Sequence, residues 1–185
     1  STVTDHLKAM PVVDVVTSGL TQSNVVVRGF NNIFSGSLLS LIDNRIARVP
    51  SLRSNTYSLL PTSNLDIERI EVVSGPGSAL YGPNSANGVM HILTKSPFGS
   101  EGTTVTLGSG ERSVLTGALR HAGSFDDRIG YKISGQYYRG NDWESEDSAE
   151  ETYLKSSGKT RDFDVDRLTG EARLDFKVTD ELKAI

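Results

Sequence analysis

The side chains best suited to covalent or metal chemistry are few and poorly spaced for it. His6, His91 and His121 are the three histidines, and no two stand four apart, the spacing that sets a pair of imidazoles on one helix face around a metal. There is no cysteine, which removes a disulfide framework, thiolate ligation and a thiol nucleophile together. Gly75 to Gly82 is glycine-rich, yet its spacing is not G-x-G-x-x-G, and Pro83 follows Gly82 where a phosphate-binding loop requires lysine. No G-x-S-x-G elbow occurs. The carboxylates between 142 and 151 lack the ligand and glycine spacing of an EF-hand and read as a solvated acidic loop. The chemistry left open is non-covalent: no enzyme is expected, and no cofactor or metal is called for.

Composition narrows the partners. A formal net charge of -4 gives no general attraction to nucleic acid. The 18 glycines are about a tenth of the chain, above the usual ~7%, so many tight turns are expected. No run reaches the ~18 to 20 apolar residues of a spanning helix, so contact with a bilayer core requires a barrel of alternating strands. The chain opens at Ser1 without a charged segment and apolar stretch, so a leader is read as removed or never present.

Positioning any binding surface falls to elements of two grammars. Thr2 to Met10 has Thr2 and Asp5 at capping-box spacing and Pro11 as a stop, which predicts a short helix. The β-branched runs Val12 to Val16 and Asn24 to Arg28 predict two short strands. Leu38 to Ile42 is nearly all apolar, as in a strand buried on both faces, and ends in Asp43-Asn44-Arg45, where Asp and Asn tolerate left-handed geometry. Pro50 to Pro61 reads as a long loop. Ser63 and Asp66 suggest a capped helical turn. Arg69 to Val73 is a strand ended by Gly75-Pro76-Gly77. Ser78 to Tyr81 is a helical turn closed by Gly82-Pro83, and Gly88 to Thr94 a further strand. Residues 1–98 thus form a mixed α+β unit.

After Pro97-Phe98-Gly99 the period becomes two. Ile129, Tyr131, Ile133 and Tyr137 alternate with Lys132, Ser134 and Gln136. Leu168, Ala172, Leu174, Phe176 and Val178 alternate with Thr169, Glu171, Arg173, Asp175 and Lys177. Thr103 to Leu107 and Val114 to Ala122 are weaker versions. A soluble sheet with one face on a core produces the same alternation. The short turn at Gly123 to Asp127 and the long polar connection from Gly140 to Asp162 favour a membrane barrel, with turns on one side and loops on the other.

Two stretches carry a family resemblance. Val26-Val27-Arg28-Gly29-Phe30 with Leu41-Ile42-Asp43-Asn44 resembles the Arg-Gly-Phe and Leu-Ile-Asp-Gly elements of TonB-dependent outer-membrane receptor plugs. Ile67-Glu68-Arg69-Ile70-Glu71-Val72-Val73-Ser74-Gly75-Pro76, continuing through Ala79-Leu80-Tyr81-Gly82, Gly88-Val89 and Ile92-Leu93-Thr94-Lys95, resembles that family's most diagnostic segment. Ser74 stands where the family commonly has a basic residue and Asn44 where it commonly has glycine.

The resemblance implies an α+β plug domain at 1–98, a small mixed sheet with short helices, followed at 99–185 by the antiparallel first strands of an incomplete transmembrane β-barrel. The barrel's remaining strands are expected beyond Ile185, since four cannot close one. It implies TonB-dependent uptake of a scarce solute, such as a metal chelate, siderophore, cobalamin or carbohydrate, across the bacterial outer membrane. TonB would act through an N-terminal segment not recognisable here, and outer-membrane lipid would surround the barrel. By the same resemblance Arg28, Arg69 and Glu71 are candidates for locking plug to barrel. Asn31, Asn32, Phe34, Ser51, Arg53 and Tyr57 lie on loops facing the solute, where a polar and aromatic cluster can bind by hydrogen bonds and stacking. Gly29, Gly75, Pro76, Gly77 and Gly82 form structural turns for packing in a narrow lumen. Two alternatives stay open: a plug-like ligand-binding or signalling module without transport, and a soluble α+β protein with an appended meander. Ile133, Leu174 and Phe176 separate these readings, since only a soluble sheet buries them against the first unit while Lys132 and Arg173 turn away.

Overall fold

A computed structural model describes residues 3–28, 38–47, 55–144, 156–158, 162–178 and 183–184. In place of the helix expected up to Met10 there is a 3-10 turn at Val3–His6, and further turns carry the chain to Val13. Pro11 cannot donate to a lengthening helix, and burying Leu7 needs only this compact segment. Strands β1 (Val13–Thr17) and β2 (Ser23–Val27) pair antiparallel, with Val15 opposite Val25.

A four-stranded sheet forms the centre of the first unit. It contains β3 (Leu38–Ile42), β4 (Arg45–Ile46), β5 (Ile67–Ser74) and β6 (Gly88–Thr94), in the order β4-β3-β6-β5. β3 and β6 run parallel, with Leu39 beside Val89. Every residue of β3 is buried, as its unbroken apolar run requires. Asp43 and Asn44 turn the chain from β3 into β4 with φ of 45° and 65°. Leu7, Val25, Val27, Leu38, Ile42, Met90 and Ile92 make the core. Helical turn α1 (Ser78–Tyr81) stops at Gly82, whose φ is +81°. Gly88 is required by proximity: a Cβ there would lie 2.5 Å from the Val73 carbonyl oxygen across the β5–β6 ladder.

The second unit is an antiparallel meander of β7 (Gly102–Ser109), β8 (Leu115–Phe125), β9 (Ile129–Asn141), β10 (Asp164–Lys177) and the short β11 (Lys183–Ala184), in that spatial order. Asp126 and Asp127, with φ of 48° and 52°, make the tight β8–β9 turn. The strands are longer than the sequence pattern indicated, and β11 adds a fifth.

The meander places its greasy row outward. Ile133 and Leu174 are 55% and 56% exposed, and Leu119, Leu168 and Phe176 are also exposed. Lys132 is 2% exposed, and Arg120, Ser134 and Asp175 are buried against the first unit. A soluble sheet would invert this arrangement. The outward row is bounded by Phe125, Ile129 and Phe176 at one end and by Arg139 opposite Asp166 at the other. From Ile129 to Arg139, a rise of ~3.3 Å per residue at ~45° tilt spans roughly 23 Å, close to the apolar band of an outer-membrane barrel. The Phe125 ring stacks on Tyr131 at 5.5 Å, building an aromatic edge to the band. Among the described residues no helix is long and apolar enough to cross a membrane, which says nothing of strands.

Candidate functional site

The two units meet in a buried seam of charge. Asp66 enters it from the turn before β5, where its backbone N–H donates to the Ser63 carbonyl at 2.9 Å. It is not the helix cap expected from sequence. Its Oδ1 accepts from Arg120 Nε at 2.7 Å and its Oδ2 from Lys132 Nζ at 2.6 Å. Alternation along β8 and β9 aims both cations inward.

Lys132 saturates its ammonium. Besides Asp66 it donates to Thr94 Oγ1 at 2.6 Å and to the Lys95 carbonyl at 2.9 Å. Thr94, the last residue of β6, donates its N–H to Asp43 Oδ1 at 2.9 Å and its hydroxyl to Asp43 Oδ2 at 2.5 Å. Asp43 also accepts from Arg173 Nη1 at 3.1 Å, and Arg173 grips Asp175 two-pronged at 2.6 and 2.8 Å. Arg120 completes its set on the Ser100 carbonyl at 2.8 Å and hydroxyl at 2.5 Å.

This arrangement solves an electrostatic problem. Lys132 and Arg173 lie directly opposite on β9 and β10, a like-charge pair that is unfavourable alone. Asp66, Asp43 and Asp175 balance Arg120, Lys132 and Arg173 one for one. A buried charge is tolerated when paired and hydrogen-bonded, and removing a single partner costs about 3–5 kcal/mol. The seam therefore fixes the end of β6 and the two turns bearing Asp43 and Asp66 to the wall. Beside it, Arg45 Nη2 reaches Glu171 Oε1 at 2.6 Å from a more exposed position.

A second tie holds the β1–β2 turn. Leu20 N–H donates to Asp142 Oδ1 at 3.1 Å, and Arg112 donates to the Asn141 and Asp142 carbonyls at 2.8 and 2.7 Å. Arg112 also lies 4.8 Å over the Trp143 ring. Asp142, expected in a solvated loop, is thus a structural anchor.

The candidate residues fall in several places. Arg69 donates to Glu71 at 2.7 Å and to Glu68 at 3.2 Å, all three exposed on β5, so the pairing lies within that strand rather than across to the wall. Glu71 raises the Arg69 pKa by accepting its hydrogen bond. Arg28 is exposed at φ 52°, with Nη1 beside Gly75. Gly75 and Gly77 donate to the Asn87 and Ser85 carbonyls at 3.0 and 2.9 Å, folding the segment around Pro76 back towards β6, while Gly82 accepts from Ser85 Oγ at 2.7 Å. Tyr57 is not on a solute-facing loop surface. It sits in a 3-10 turn with its ring 7% exposed in the core, sharing a hydrogen bond with Ser40 at 3.3 Å. An aromatic ring beside Leu60 and Ile42 gains more from burial than from solvent. Gly29, Asn31, Asn32, Phe34, Ser51 and Arg53 lie outside the described residues.

Sequence reasoning missed the seam. Asp43 and Asp66 read as turn and cap residues, and Arg120, Lys132 and Arg173 as members of a wet face. The available signal was their coincidence: Asp43 within the Leu41-Ile42-Asp43-Asn44 element, Asp66 immediately before the segment that opens at Ile67, and cations in the polar rows of strands whose alternate positions are apolar.

The architecture defined by these features is that of outer-membrane receptors, and comparison with known proteins agrees. Residues 1–89 match the TonB-dependent Receptor Plug Domain family. Over 144 residues the chain is 35% identical to the vitamin B12 transporter BtuB of Vibrio vulnificus, covering 70% of this chain and 23% of that protein. It is 31% identical over 113 residues to the ferrioxamine B receptor of Salmonella typhimurium, covering 60% of this chain and 15% of the relative. The solved structure of the copper transporter OprC superposes with a TM-score of 0.68 at 18% identity, covering 97% of this chain and 26% of that one. Residues 1–89 are thus a TonB-dependent receptor plug domain, and the antiparallel strands that follow have the fold of the wall strands in solved receptor structures. The chain spans less than a quarter of the length of these two relatives.

Proposed function

We propose that this chain is the gating plug (1–98) and leading wall (99–185) of a transporter that takes up a scarce solute across the bacterial outer membrane, driven by TonB. The observation that carries this reading is the inward polar row of β8 to β10 bound by ion pairs to the first unit, with the apolar row outward. A wall of closed strands resists opening, because every backbone hydrogen bond broken in lipid is lost without replacement. A small mixed sheet is marginally stable and opens locally. A periplasmic pull would then rearrange the plug before the wall.

The solute class follows the relatives: a cobalamin, a siderophore or another metal chelate, with a carbohydrate also compatible. Asn31, Asn32, Phe34, Ser51 and Arg53 are proposed to face it, and Arg28, Arg69 and Glu71 to meet further wall surface. The test is uptake by cells expressing the full-length protein, with and without TonB and the proton gradient. Accumulation that stops when either is removed supports transport. Retained solute affinity without accumulation would instead define a binding or signalling module.

A further inference from the structure

The outward face of the wall carries a polar cluster that neither the seam nor the plug uses. Thr103, His121 and Tyr131 come from the adjacent strands β7, β8 and β9, in the face that also presents Val105, Leu119 and Ile133. Thr103 Oγ1 lies 2.8 Å from His121 Nδ1, and His121 Nε2 lies 3.2 Å from the Tyr131 hydroxyl. Such a chain of three always leaves one hydrogen over. With the proton of a neutral imidazole on Nε2, His121 accepts from Thr103 and donates to Tyr131, which frees the phenol hydrogen; with the proton on Nδ1 the roles reverse and the Thr103 hydrogen is free. Neither hydroxyl has another partner among the described residues. An unpaired hydroxyl is costly in hydrocarbon, so a lipid-facing row that holds one calls for an acceptor from outside the chain.

Position and charge select the acceptor. The phenol oxygen lies over Gly123, where a Cβ would come within 2.8 Å of it. Gly123 is three residues from Asp126, roughly 10 Å along the strand at ~3.3 Å per residue. There the exposed turn Asp126-Asp127-Arg128 presents three charged side chains, none with an ion-pair partner among the described residues. A phospholipid whose ester carbonyl accepts from Tyr131 places its headgroup at that turn, where a guanidinium suits the phosphate and two carboxylates suit an ammonium. A purely anionic headgroup would instead meet two like charges. The short turn marks the periplasmic end of the wall, and the leaflet there is phospholipid. The stacked rings of Phe125 and Tyr131, 5.5 Å apart, give the acyl chain an apolar bed.

We propose that this patch binds one zwitterionic phospholipid with a primary ammonium headgroup from the periplasmic leaflet, its ester carbonyl accepting from the Tyr131 hydroxyl, its phosphate on Arg128 and its ammonium on Asp126 and Asp127. The site rests on the apolar row facing lipid, and it makes that lipid a fixed part of the wall.

The detergent-solubilised full-length protein, offered equal amounts of phosphatidylethanolamine and phosphatidylglycerol, should retain one phosphatidylethanolamine preferentially in native mass spectrometry. Tyr131→Phe keeps the ring and its stacking and should weaken that retention about fivefold to tenfold, the value of one hydrogen bond. Arg128→Gln, on an exposed turn, should do likewise and keeps the test readable if the first variant does not fold. Asp126→Asn combined with Asp127→Asn should erase the preference between the two lipids. Equal retention of both lipids by the unaltered protein, or a preference that survives Tyr131→Phe and Arg128→Gln, would overturn the site alone. Tolerance of Ile133→Lys in lipid vesicles would remove the lipid-facing row, and the site with it.

Discussion

Asp66 Oδ2 and Lys132 Nζ lie 2.6 Å apart, one on the turn into β5 and the other at the inward face of β9, with both side chains almost wholly buried. The same carboxylate holds Arg120 with its other oxygen. One plug residue thus ties two wall strands.

Removing that carboxylate should be severe. Asp66→Asn leaves two buried cations short of an anion, so the docked plug should lose about 3–5 kcal/mol. Limited proteolysis of the full-length protein should show faster cleavage within 3–94. The double variant Asp66→Asn with Lys132→Met should recover part of the loss, because the second change removes one orphaned charge. Equal losses in the single and double variants would count against a pairwise role.

The outward row should be intolerant of charge according to depth. Ile133→Lys, in mid-band, should destabilise the membrane-inserted full-length protein by about 2–4 kcal/mol, while Asp166→Lys at the band's edge should cost only about 0–1 kcal/mol. Denaturant unfolding in lipid vesicles would measure both, and an inverted order would contradict the lipid-facing reading.

Gly88→Ala tests the β5–β6 ladder. The added methyl would enter contact range of the rigid Val73 carbonyl, so Ser74 and Gly88 could not keep their register. The expected result is faster amide exchange confined to β5 and β6, with the wall strands unchanged.

Burial pushes the Tyr57 pKa up to about 12, outweighing the hydrogen bonds with Ser40 and Asn55. The raised value means the folded plug holds the neutral phenol, so the stability linked to it is complete below pH ~10 and declines as pH rises towards 12. The integrated loss is about 2–3 kcal/mol. Ultraviolet titration should reveal one tyrosinate appearing late, and Tyr57→Phe should remove that component while flattening the alkaline fall in stability. A phenol titrating near 10 would refute its burial.

Much of this fold was legible because period and punctuation agree locally. The apolar run Leu38–Ile42, the Asp43-Asn44 turn and the two-residue rhythm of β9 and β10 each follow from near neighbours. Which row of that rhythm faces outward was not local: Lys132 is equally at home in water and against Asp66, and only the fold brings residues 66 apart in sequence together. Tyr57 was misplaced for the converse reason. Its polar neighbours Ser54, Asn55, Thr56 and Ser58 suggested an exposed loop, while its ring was recruited by a core assembled from β2, β3 and β6. The seam escaped notice because each member has an ordinary local role.

The parallel pairing of Leu38–Ile42 with Gly88–Ile92 joins segments separated by about fifty positions, whereas each wall hairpin joins neighbours. Long closures are slow and hairpins are fast. On this ordering the wall hairpins form first, with Arg173 already paired to Asp175 on its own strand but Arg120 and Lys132 still waiting for Asp66. Water must solvate those two cations until the slower N-terminal fold docks, so the order of maturation is written into the sheet's connectivity.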